Sequence, residues 1–133
     1  MVRLIDALLR LRPYAAEASV ALCSLWVGKC YVSGPSNFTS YAGSYALAGD
    51  LLTEADYGAL HIAAGSLTLL GLALSGGVAK TLRGAGGVLA AFVWGVLGVS
   101  FVADNPDLTV GGIALVLCAT SLVALLVLPG DGP

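Results

Sequence analysis

The stretch AGGVLAAFVWGVLGVSFVA, Ala85 to Ala103, contains no charged residue. Coiled into an α-helix at about 1.5 Å per residue, it covers the roughly 30 Å of a bilayer's hydrocarbon core. Its small residues recur at Gly87, Ala91 and Gly95, with Gly98 close by. Such a strip lets a second helix approach closely where no hydrophobic effect drives helices together. The stretch therefore predicts a membrane span built for packing, and it sets the frame in which the rest of the chain is read.

Working outward, similar apolar segments occupy Tyr14 to Val32, Tyr57 to Ala79 and Thr109 to Leu128. The chain of 133 residues is 58% hydrophobic and 11% charged, against roughly 45–50% apolar in a soluble domain. The prediction is an all-α integral membrane protein. It has one domain over 1–133, four transmembrane helices (14–32, 57–79, 85–103 and 109–128) in an antiparallel bundle, and an outer loop over 33–56. Little chain is left for a catalytic module outside the membrane.

Cations orient the spans. Arg3, Arg10 and Arg12 precede the first, and Lys80 and Arg83 fall between the second and third, while the other two connections carry no Lys or Arg. The positive-inside rule then places both termini in the cytoplasm of a bacterial inner membrane. Residues 1–12, MVRLIDALLRLR, alternate leucines with Arg3, Asp6 and Arg10 in the pattern of a short amphipathic helix lying in the inner interface. Pro13 suits the first turn of a new helix beyond it.

Helix-start signals explain most of the acidic cluster before the second span. Thr53 as N-cap, with Asp56 three residues on, forms a capping-box pattern in which the acid reaches back to the N-cap N–H, and Leu52 and Tyr57 hold the hydrophobic-staple positions. His61 follows one turn later as an interfacial histidine. Asn105 and Pro106 read as N-cap and N1 of the last span. Within the outer loop, Tyr41, Tyr45, Leu47, Leu51 and Leu52 are too apolar for a solvated linker and predict a short helix or turn on the outer surface. Asn37-Phe38-Thr39 is a formal glycosylation sequon, idle in a bacterium. Tyr14, Tyr31, Tyr57 and Phe101 mark the interfaces, and Trp26 and Trp94 sit deeper and are expected to pack inside.

Three residues with acidic or basic side chains lie within the predicted spans: Glu17, Lys29 and His61. Ionisable residues in a span are functional candidates by default. Glu17 and Lys29 stand about 18 Å apart along a helix and roughly 120° around it, so they cannot pair with each other. Glu17 is expected to meet Arg12, Lys80 or Arg83, and Lys29 to snorkel towards Glu54, Asp56 or Asp50.

Cys23 and Cys30 are too far apart on one helix for a disulfide, and Cys118 stands alone. With a single histidine and no CxxC or HxxxH spacing, the sequence supports no metal site and implies no cofactor. Nor does any acid–base, nucleophile or nucleic-acid-binding constellation occur, which argues against an enzyme.

Taken together, the segments GPSNFTSYA with a following YALAG, EADYG opening the second span, the small basic KTLRG and the short NPD turn resemble small four-span membrane proteins of tailed bacteriophages. That resemblance implies a membrane role such as lysis or exclusion of competing phage. The C-terminal LPGDGP departs from the basic tail of a typical holin. Two function classes follow. One is a non-enzymatic protein that remodels or occupies the host membrane through helix association, with lipid, further copies or other membrane proteins as partners. The other is a small proton- or cation-coupled transporter or channel using Glu17.

Overall fold

The computed structural model describes residues 2–34, 43, 45–104 and 109–127, with the side chains of 2–13, 109 and 127 outside that description. The described residues form helices and no strands: α1 (Val2–Ser33), α2 (Ala46–Leu51), α3 (Glu54–Ala73), α4 (Gly76–Asp104) and α5 (Thr109–Val127). The sequon at 37–39 and the turn with Asn105 and Pro106 lie outside the described residues.

α1 is one helix and not an interfacial helix followed by a span. Proline keeps a helical φ but removes its own N–H bond and crowds the carbonyl four residues back, and the Leu-, Arg- and Ala-rich flanks of Pro13 favour helix strongly enough to carry the ladder across it.

A second correction concerns the connection between the second and third apolar segments. It was expected at Lys80 to Gly84, but α3 ends at Ala73 and α4 begins at Gly76. The Leu74 N–H closes α3 on the Leu70 carbonyl at 3.1 Å. Gly76 then adopts φ +81°, the only positive φ among the described residues, a region glycine enters without steric cost. The chain reverses within Leu74 and Ser75, and Lys80 and Arg83 become part of the first two turns of α4.

At the start of α3 the expected cap forms. The Asp56 N–H donates to Thr53 Oγ1 at 3.2 Å, and Glu54 and Asp56 occupy the positive end of the helix dipole. The Asp56 carboxylate, however, accepts from the Thr53 hydroxyl at 2.5 Å and does not reach back to its backbone N–H.

The helices meet through glycine. A Cβ on Gly28 of α1 would fall 2.7 Å from the Gly58 carbonyl oxygen of α3, and further along, one on Gly65 would meet the Ala21 carbonyl at 2.6 Å. α4 approaches α3 as closely at Gly86, where a Cβ would lie 2.7 Å from Thr68 N. In each case residue numbers fall on one helix as they rise on the other. The predicted small-residue strip packs against α5: Gly87 and Gly95, both half-buried, face Leu125 and Cys118, Gly98 is buried and faces Leu115, and Ala91 is buried beside them. α1 also touches α5, so the four long helices close into a ring. The short α2, foreseen as a helix or turn, docks on α4 through the Ala48 N–H to Ser100 Oγ bond of 3.1 Å and the Tyr45–Phe101 ring contact at 5.0 Å.

The polarity of this assembly is inverted. Leu22, Leu70, Phe92, Val116, Val123 and Leu126 are exposed, while Glu17, Ser24, His61, Thr68, Arg83 and Ser100 are buried. Among the described residues one helix, Gly76–Asp104, is by itself long and apolar enough to cross a membrane.

Candidate functional site: two buried polar layers

α1 turns Glu17, Ser24 and Tyr31, each seven residues from the next, towards the interior. α3 does the same with Tyr57, His61 and Thr68, and α4 with Arg83 and Trp94. Residues four and seven apart share a helix face, so the polar side chains gather in two layers.

In the first layer Arg83 grips Glu17. Nε donates to Oε2 at 2.8 Å and Nη2 to Oε1 at 2.6 Å, and the Tyr14 ring lies 5.0 Å from the guanidinium carbon. Of the three partners weighed for Glu17, the structure selects Arg83. The early turn at Gly76 makes this possible, because it places Arg83 two turns up α4. The parallel fork matches a carboxylate in a way a lysine cannot. Beside the pair lies a cavity of about 20 Å³, lined in part by Thr68, Gly87, Thr120, Ser121 and Leu125, room for about one water molecule. The hydroxyls of Thr68, Thr120 and Ser121 donate to the carbonyls of Ala64, Val116 and Leu117, one turn back on their own helices.

The second layer surrounds His61, which was expected at the interface and is instead fully buried. Gly58 and Gly65 flank it and draw α1 close, so the face of α3 that carries it points inward. Three rings enclose the imidazole: Tyr31 stacked at 6.1 Å, Tyr57 edge-on at 5.1 Å and Trp94 edge-on at 4.8 Å. The polar groups of the cage are bonded elsewhere, with Tyr57 Oη donating to the Val93 carbonyl and Trp94 Nε1 donating to Ser24 Oγ at 2.9 Å. Among the described residues, neither ring nitrogen of His61 has a hydrogen-bond partner.

The remaining predicted positions separate. Lys29 is exposed, with Nζ 5.8 Å from the Trp26 ring centroid and not against an outer acid. Trp26, expected inside, is 66% exposed, whereas Trp94 is buried as foreseen. Cys23, Cys30 and Cys118 are free thiols. Among the described residues no three of His, Cys, Asp and Glu come together as metal ligands would. Sequence reasoning missed Ser24, Tyr31 and Ser100 as interior partners. The seven-residue spacing of Glu17, Ser24 and Tyr31 was the available signal.

Comparison of the chain with protein-family models, with curated proteins and with solved structures returns no match.

Proposed function

We propose that the chain is a small, non-enzymatic integral protein of a bacterial inner membrane, with four spans in an antiparallel bundle and both termini cytoplasmic. The observation that carries this reading is the inverted polarity. Large apolar side chains are exposed along α4 and α5, with Leu22, Trp26 and Val32 on α1 and Leu70 on α3, while a carboxylate, a guanidinium and an imidazole lie within. Monomeric soluble proteins rarely expose so continuous an apolar surface, and a bilayer reverses the preference. α3 and α5, with 20 and 19 residues, each reach about 30 Å.

Its work is that of a membrane-resident bundle, in the manner of the phage proteins it resembles: altering the host bilayer or engaging other membrane proteins there, in lysis or in exclusion. The competing reading, transport coupled through Glu17, draws on the cavity beside that residue. It ranks lower because the carboxylate is committed to Nε and Nη2 of Arg83 and the cavity has room for about one water.

Topology labelling tests the proposal. In a cysteine-free background, Asp50→Cys on α2 and Gly77→Cys beside the α3–α4 turn should react with a membrane-impermeant maleimide from opposite faces, Asp50→Cys from outside. A chain that fractionates with soluble protein, or two positions labelled from the same face, would overturn the reading.

A further inference from the structure

The outward face of α1 differs from the rest of the apolar surface. α5 shows the exterior Val110, Ile113, Val116, Leu122, Val123 and Leu126. α1 also exposes Leu22 and Val32, but among them runs a line of Ser19, Cys23, Trp26, Cys30 and Ser33, with Lys29 on the flank. The intervals along this line are four, three, four and three residues. That is the a/d spacing of a two-stranded coiled coil, on the face of α1 turned away from Glu17, Ser24 and Tyr31.

We infer that this seam is the interface for a second copy of the chain, α1 against α1, in parallel and in register. The inference rests on the membrane reading above. Copies in one membrane share one orientation, so a twofold axis along the membrane normal sets like helices side by side. Cys23 and Cys30 then fall at a positions, Ser19, Trp26 and Ser33 at d positions, and small residues allow close approach in lipid.

Two further observations favour a copy of this chain as the occupant. The first is charge. Lys29 occupies a g position, which in a parallel pair faces the partner residue five places on. That residue is Gly34 of the partner subunit, just past the end of α1. Helix C-termini present unpaired carbonyl oxygens and the negative pole of the dipole, so each ammonium meets the complementary end of the opposite helix. The second is area. Trp26 is 66% and Leu22 58% exposed, and a tryptophan buries roughly 150–250 Å². The exposed parts of two such rings supply about a sixth to a quarter of the roughly 1,200 Å² of a stable interface. Leu22, the thiols and the Lys29 stem extend it.

The native thiols report the contact directly. Membranes containing the full-length chain are oxidised with copper phenanthroline and resolved without reductant. A disulfide-linked dimer is expected from the wild type and from Cys118→Ser, and none from Cys23→Ser/Cys30→Ser. Val116→Cys, on the opposite exterior in a cysteine-free background, should stay monomeric. As a second readout, energy transfer between donor- and acceptor-labelled Gly77→Cys copies in liposomes, with the other cysteines replaced, should persist on tenfold lipid dilution and fall severalfold in Trp26→Ala. Monomers in both assays, a Val116→Cys cross-link of equal yield, or an adduct with a different protein would each overturn the homodimer. A chain that remains resistant to carbonate extraction and correctly labelled in the topology experiment, yet monomeric, would remove this inference and leave the membrane reading standing.

Discussion

Arg83 holds Glu17 with two parallel hydrogen bonds across 66 residues of sequence, and both side chains are more than nine-tenths buried. This pair ties α1 to α4, two helices that otherwise touch little and are bridged by α3 and α5.

Its removal one side at a time should be costly. Glu17→Gln or Arg83→Gln strands the opposite charge in a low-dielectric interior, a loss of about 3–5 kcal/mol. Glu17→Met/Arg83→Met replaces the pair by apolar volume and should recover most of that loss. Denaturant titration in mild detergent measures all three. Equal damage from the double and single variants would show that the ion pair itself, and not a stranded charge, accounts for the lost stability.

The pair also shows where sequence reading succeeds and stops. Arg83 was among the partners weighed for Glu17, but the loop assignment placed it outside the helices. Charges marked that loop more plainly than the glycines did, and a left-handed Gly76 leaves its trace in geometry. The run Ala85 to Ala103 and the start of α3 at Thr53 were legible because uncharged length and capping chemistry are local. The inward turn of His61 and the outward turn of Trp26 depend on which face of a helix its neighbours cover, and an apolar helix with a weak amphipathic pattern conceals that.

His61 carries two unsatisfied nitrogens in an aromatic cage. Each stranded polar group costs about 1–3 kcal/mol, so His61→Phe should leave stability unchanged or raise it by up to that amount. His61→Lys should prevent assembly. A His61→Phe protein that is stable yet inactive in a host lysis or exclusion assay would identify the imidazole as a working group.

Glycine substitutions should divide sharply by position. Gly28→Ala sets a methyl 2.7 Å from the Gly58 carbonyl oxygen and should destabilise by about 1–3 kcal/mol through overpacking. Gly77→Ala meets nothing within 4 Å and should stabilise by up to about 1 kcal/mol through helix propensity. Thermal unfolding of the two variants in the same detergent checks the contrast.

The cap of α3 makes a smaller prediction. Thr53→Ala removes the acceptor for the Asp56 N–H and should lower stability by about 0.5–2 kcal/mol, while Thr53→Ser should retain most of it. Hydrogen exchange of the amides at 54–57 would localise the effect to the first turn.

The two-residue reversal at Leu74 and Ser75 bears on how the molecule is made. On the four-span reading proposed above, so short a connection would bring α3 and α4 into the bilayer as one hairpin, carrying Arg83 with them. Synthesis proceeds from the N-terminus, so α1 is already in place, with Glu17 facing the position where the guanidinium arrives. The order of the chain therefore delivers the anion before the cation. Moving α4 by one turn would shift Arg83 about 5.4 Å along the axis and out of reach of both carboxylate oxygens, so on that reading the pair would act as a depth gauge that stops the hairpin at one level in the membrane.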